Sequence, residues 1–188
     1  DLDLSAMMFD KDWKYIEHIS YTNLRSDMYQ ACHSGDIVSA PNGASEFIDL
    51  DIESGVKYGA RYIVLCVFCF TGQAFAELPE CFMGWMARKN PASGEIYEPK
   101  TVENKLDIAA EGQVACIPMV LDLNAKQVIW ADIGGLTSGT FGANLERNSK
   151  RLTIMGKGIS ELRRANLYDL FILHGKARGT LCNTMEEA

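Results

Sequence analysis

The sequence predicts a mainly β chain: an antiparallel β-sandwich of two sheets with a C-terminal α-helix packed outside it. Three observations carry this. Short apolar or alternating runs recur along the chain, separated by polar turns. One of them, "YIVLCVFCF" (62–70), is apolar on both faces, as a central strand covered from each side requires. The strongest helical pattern, "ANLYDLFILHGKARG" (165–179), stands near the C-terminus. A length of 188 residues suits one domain. Residues 1–135 are expected to form the sandwich, and 136–188 a Gly-rich connector and the C-terminal helix packed on the same domain.

The elements follow in order. "LDLSAMMFD" (2–10) is extended, Asp10–Asp12 is a turn, and "KYIEHISY" (14–21) is the second strand. "LRSDMYQAC" (24–32) has the spacing of one or two helical turns. "EFIDLDI" (46–52) alternates, with Ile48, Leu50 and Ile52 on one face. The apolar run "ARYIVLCVFCF" (60–70) and "ECFMGWMAR" (80–88) are strands. A break at Asn90–Gly94 precedes "EIYEPKTVENKLDI" (95–108). The clearest hairpin is "QVACIPMVLDL" (113–123), the turn "NAK" and "QVIWADIG" (127–134). "GGLTSGTFGANLERNS" (134–149) reads as a Gly-rich linker. It lacks the Gly-Lys-Ser/Thr of a phosphate-binding loop. In the last helix Asn166 can cap, Asp169 stands three residues later, and Gly179 can end it. Leu167, Leu170, Phe171 and His174 share a stripe, and the tail "TLCNTMEEA" is expected to fray.

Composition narrows the function classes. Hydrophobic residues make up 47 %, enough for a packed core. The net charge of −7 argues against nucleic-acid partners, and the basic run "RNSKR" (147–151) is short. No apolar run approaches the ~20 residues of a membrane span, and no signal peptide is visible. Four of the six cysteines lie in apolar runs, which points to free core thiols in a reducing compartment, the cytoplasm. Cys66 and Cys69 form a CxxC, but positions three apart on a strand face opposite ways. The absence of an initiator Met fits a domain excised from a longer protein, or a processed chain. His18, His33 and His174 show no metal-ligand spacing, and there is no GxSxG elbow for a nucleophile.

The acids are the distinctive feature. In "DLDL" (1–4) and "DLDI" (49–52), alternation puts Leu2, Leu4, Leu50 and Ile52 on the buried face. Asp1 and Asp3, and Asp49 and Asp51, then project from the other. Like charges that close raise one another's pKa unless something positive lies among them. A hard cation resolves the repulsion, and Ca²⁺ takes several oxygen ligands at about 2.3–2.6 Å. The loop 35–46 supplies more oxygens: Asp36, Asn42, Ser45, Glu46 and backbone carbonyls near Gly35 and Gly43. A solvated acidic sheet face is the other reading of the same pattern.

These residues also resemble a known family. "DLDLSA", then "GD" and a loop ending in "GASEFIDLDI", then an apolar strand and "FTGQAFAELPECFMGWMAR", are similar to the TerD family of tellurium-resistance and stress-response proteins. The resemblance covers roughly residues 1–135 and lies in the order of several motifs. It implies a calcium-binding β-sandwich whose acidic loops hold the ions. By position, Asp36 matches the Asp of the family's GD, Glu46 the end of its acidic run, and Asp1 and Asp3 its DLD. The loop here departs from the family: "IVSAPNGAS" (37–45) replaces most of the acids. Fewer charged ligands imply weaker binding or one site lost.

Two functional classes are expected. One is a non-catalytic Ca²⁺-binding module of a stress-response protein, acting through other protein domains, those of the same longer chain included. The other is a metal-dependent hydrolase using the same acids to hold Mg²⁺ or Mn²⁺, which needs an open coordination position and a nearby base or electrophile. The loop 35–46 contains no Lys or Arg. This favours the first.

Overall fold

A computed structural model describes residues 1–86, 102, 104–109, 111–136, 145–161, 167–179 and 182. The expected break at 90–94 and the Asn166 cap lie outside them. Of the described residues 38 % are strand and 23 % helical, so the fold is mainly β, with antiparallel sheets and a C-terminal helix.

The principal sheet has five strands, all antiparallel: β1 (Leu2–Phe9), β2 (Tyr15–Ile19), β6 (Tyr62–Cys69), β9 (Ala115–Asp122) and β10 (Gln127–Leu136). Their spatial order is β10-β9-β6-β1-β2. The doubly apolar β6 is the middle strand, as its sequence requires, with seven of its eight residues buried. The β6–β9 register shifts between Val64 and Val67, opposite Pro118, whose missing N–H cannot join a regular ladder. β2 pairs only with Ala6–Phe9, so among the described residues no strand pairs with residues 2–5 of β1 on that side. This open edge matters for the site below.

Alternation along β1 sends successive side chains to opposite faces. Ala6 and Met8 pack with Ile63 and Leu65, and this face meets a three-stranded sheet through Tyr29, Ala31, Ile48 and Leu50. That sheet comprises β3 (Arg25–Ser26), β4 (Ala31–His33) and β5 (Ile48–Leu50), in the order β3-β4-β5. Met7 and Phe9 pack on the other face with Tyr62, Val64 and Ile117, under Leu152 and Ile159 of α2 (Leu145–Glu161). A two-stranded sheet, β7 (Phe82–Trp85) with β8 (Asn104–Asp107), approaches through Trp85, whose ring lies 5.0 Å from that of Trp130.

Three expectations need correction. "LRSDMYQAC" is not helical but a β3–β4 hairpin. The Ser26 hydroxyl accepts from the Tyr29 N–H at the turn, Gln30 takes φ +46°, and Tyr29 and Ala31 turn into the core. "EFIDLDI" is a strand only over Ile48–Leu50; helix α1 (Ile52–Lys57) begins straight after it. Asp51 is its N-cap, its Oδ1 accepting from Ser54 N–H at 2.6 Å, so Asp49 and Asp51 do not share a strand face and Ile52 is exposed. The third concerns the linker expected at 134–149, whose ends are structured: Gly134 belongs to β10 and residues 145–149 open α2.

Helix α2 sits close on the sheet because Gly156 lets it. A Cβ there would fall 2.4 Å from the Trp13 ring and 3.0 Å from Val64. Trp13, in the β1–β2 turn with φ +61°, stacks on Tyr62 at 4.2 Å. Helix α3 (Leu167–Arg178) matches the predicted C-terminal helix, and Gly179 N–H donates to Gly175 O at its end. None of its side chains is buried. No disulfide links the cysteines among the described residues, and Cys66 and Cys69 lie in different core clusters on opposite faces of β6. Among the described residues no helix is long and apolar enough to cross a membrane.

Candidate metal centre

The unpaired edge of β1 and the loop after β4 build one polar site. The neck of the loop is closed by Ser34 N–H donating to Phe47 O and Phe47 N–H donating to the Ser34 hydroxyl, at 2.8 and 3.0 Å. Gly35, at φ +113°, turns the chain back towards β1, a conformation that favours glycine.

Within this arrangement Asp1, Asp3 and Asp36 converge. One carboxylate oxygen from each lies within 4.8 Å of the others. Asp36 is exposed, Asp1 half-buried and Asp3 only 5 % exposed. Asp3 therefore does not stand on a solvated face: β1 is covered on both sides, and the alternation that sends Met7 and Phe9 into the core takes Asp3 the same way. Leu2 and Leu4 are half-buried and pack at the edge of a third apolar cluster around Val67, Cys69 and Phe75.

Asp3 Oδ2 and Asp1 Oδ1 are buried and accept no hydrogen bond from the described residues. A buried acceptor left unmatched costs about 1–3 kcal/mol. Burial, with the carboxylates of Glu46 and Asp36 adding to it, pushes the Asp3 carboxyl up to about 6 from an ordinary 3.8. The positive N-terminus opposes this rise without cancelling it. Opposite oxygens on one Ca²⁺ stand ~5 Å apart, given ligand distances of about 2.3–2.6 Å. The three carboxylates fit that span.

The other predicted ligands are placed differently. Glu46 is not in the converging group. Its Oε1 accepts from Ile37 N–H (3.0 Å) and its Oε2 from Leu4 N–H (2.9 Å). Asn42 is exposed in a turn closed by Gly43 N–H on Ala40 O, and Ser45 is half-buried in the same loop. Asp49 sits in β5 opposite Cys32, outside the group. The residue that sequence reasoning passed over is His33. It is buried, and its ring bonds both to the loop and to β1. Part of the signal was available, a histidine three residues before the acid of a GD pair, but the helical spacing of 24–32 hid the strand that it ends.

No protein-family model matches this chain, and no curated protein is significantly similar to it.

Proposed function

We propose that the chain is a Ca²⁺-binding module of the TerD type, a cytoplasmic, non-catalytic domain of a stress-response protein of the tellurium-resistance kind. It acts through protein partners, domains of the same longer chain among them. One observation carries the cation reading: a buried, unmatched Asp3 oxygen lies in a cluster with the Asp1 and Asp36 carboxylates. The order of motifs in residues 1–135 supplies the family. Hard oxygen donors alone, drawn from carboxylates, select a hard cation such as Ca²⁺ over softer metals.

The test is calorimetric. Ca²⁺ should bind and raise the melting temperature, because a ligand held only by the folded state stabilises it by about 2.7 kcal/mol at a hundred times its Kd. Asp36→Ala should remove most of that increment and leave the metal-free melting temperature near wild type, since Asp36 is exposed. Absence of heat and of any thermal shift at millimolar Ca²⁺ would sink the reading. Mg²⁺-dependent hydrolytic turnover would replace it with a metal-dependent hydrolase.

A further inference from the structure

Asp36 is flanked by two anchored amides. On one side Gly35 N–H donates to His33 Nδ1 at 3.0 Å; on the other Ile37 N–H donates to Glu46 Oε1 at 3.0 Å. The same two side chains reach across to β1. His33 Nε2 lies 3.0 Å from Leu4 O, and Leu4 N–H donates to Glu46 Oε2 at 2.9 Å. They also meet each other, His33 Nε2 to Glu46 Oε2, at 3.5 Å, with side chains 0 and 7 % exposed.

Since a backbone N–H can only donate, His33 Nδ1 must accept from Gly35. The ring proton then sits on Nε2, where it donates to Leu4 O. The two side chains thus take the place that a strand would fill beside Leu4, where β2 has already ended. They carry the register of β1 into the loop, and the residue fixed between the two anchored amides is Asp36. Leu4 is next to Asp3 in the chain, so the frame holds two of the three converging carboxylates, Asp3 and Asp36, from one piece of backbone each.

We propose that His33 and Glu46 are positioning residues of the cation site: a buried frame that sets Asp36 against Asp3 and does not itself ligate the ion. The inference rests on the cation reading above. It also reassigns Glu46, which family position alone would make a ligand, because neither of its oxygens joins the converging group and each already accepts from an amide of the frame.

The experiment titrates Ca²⁺ by calorimetry into the full chain and its variants, well below their melting temperatures so that each is folded. Wild type should bind and Asp36→Ala should not. His33→Ala and Glu46→Ala should each weaken Ca²⁺ about 10–100-fold, the range for residues that orient ligands. His33→Asn, whose side-chain oxygen can still accept from Gly35 N–H, should recover much of the loss. Tb³⁺ then serves as a luminescent probe, its lifetimes in H₂O and D₂O counting the waters on the bound ion. At saturation His33→Ala and Glu46→Ala should show the same count as each other. Unchanged Ca²⁺ affinity in both Ala variants would reduce the frame to a structural role and overturn the proposal. An added water on Tb³⁺ in Glu46→Ala but not in His33→Ala would make Glu46 a ligand and overturn it as well. Failure of wild type to bind Ca²⁺ or Tb³⁺ would remove the site itself, a result distinct from both.

Discussion

Asp3 has a charge problem that pH should expose. Its carboxyl is raised to about 6 in the folded chain against 3.8 ordinarily, by burial first and the neighbouring acids second. The folded state therefore holds this proton more tightly than the unfolded state. Its contribution to stability is fully present below pH ~4, is lost as pH rises towards ~6, and is flat beyond that. In chelator, wild type should lose thermal stability across that window relative to Asp3→Asn, which has no proton to give up. The gap between the two melting curves should widen from pH 4 to 6 and then hold constant. A constant gap at every pH would mean that Asp3 does not titrate there. The acids of this chain were legible as an anomaly, since Asp is disfavoured in strands and recurs in two of them. Their separate solutions were not. Asp51 caps a helix, which the DLDI alternation hides, because a strand pattern and an Asx cap before "IESG" look alike over four residues. Asp3 is buried because of what covers β1 from elsewhere in the chain, and that information is tertiary.

At the scale of elements, the strands that were easiest to read are those whose pattern is set by burial on both faces or by a tight hairpin. The β6 run and the β9–β10 pair are of this kind. The misread ones are short. β3 has two residues and β4 three, too few for a period of two to stand out from a helical one. Helix α2 escaped notice for a different reason. Glycines at 156 and 158 lower its intrinsic propensity by about 1 kcal/mol each, so it reads as an extension of the Gly-rich stretch before it. Gly156 has a packing purpose that propensity cannot show. It lets the helix approach the Trp13 ring so closely that a methyl group would overlap it, with the ring stacked on Tyr62 behind. Gly156→Ala should thus destabilise the protein by about 1–3 kcal/mol despite the gain in helix propensity. Gly158, with open space around the position of its Cβ, is the control: Gly158→Ala should be neutral or stabilising. Chemical denaturation of the two variants decides it, and equal effects of the same sign would refute the close approach as the reason for the glycine.

Across the whole molecule, stability should be concentrated in the sheet and the two layers on it, with α3 contributing almost none. Hydrophobic stabilisation scales with apolar area removed from water, and it is not conferred by a residue's being apolar. Leu152 of α2 is 0 % exposed, between the helix and the face of Met7 and Phe9, whereas Phe171 of α3 is 69 % exposed. Sequence alone ranks them the other way: the stripe of Leu167, Leu170, Phe171 and His174 is the stronger helical signal, and periodicity says which residues share a face but not what the face meets. Leu152→Ala removes a fully buried side chain and should cost about 2–5 kcal/mol. Phe171→Ala removes a larger one already in water and should stay within about 0.5 kcal/mol of wild type. Urea unfolding at fixed pH and ionic strength, in chelator so that no cation adds to the folded state, measures both on one scale. A loss from Phe171→Ala comparable to that from Leu152→Ala would mean that α3 is covered in solution and that the core extends beyond the two layers described.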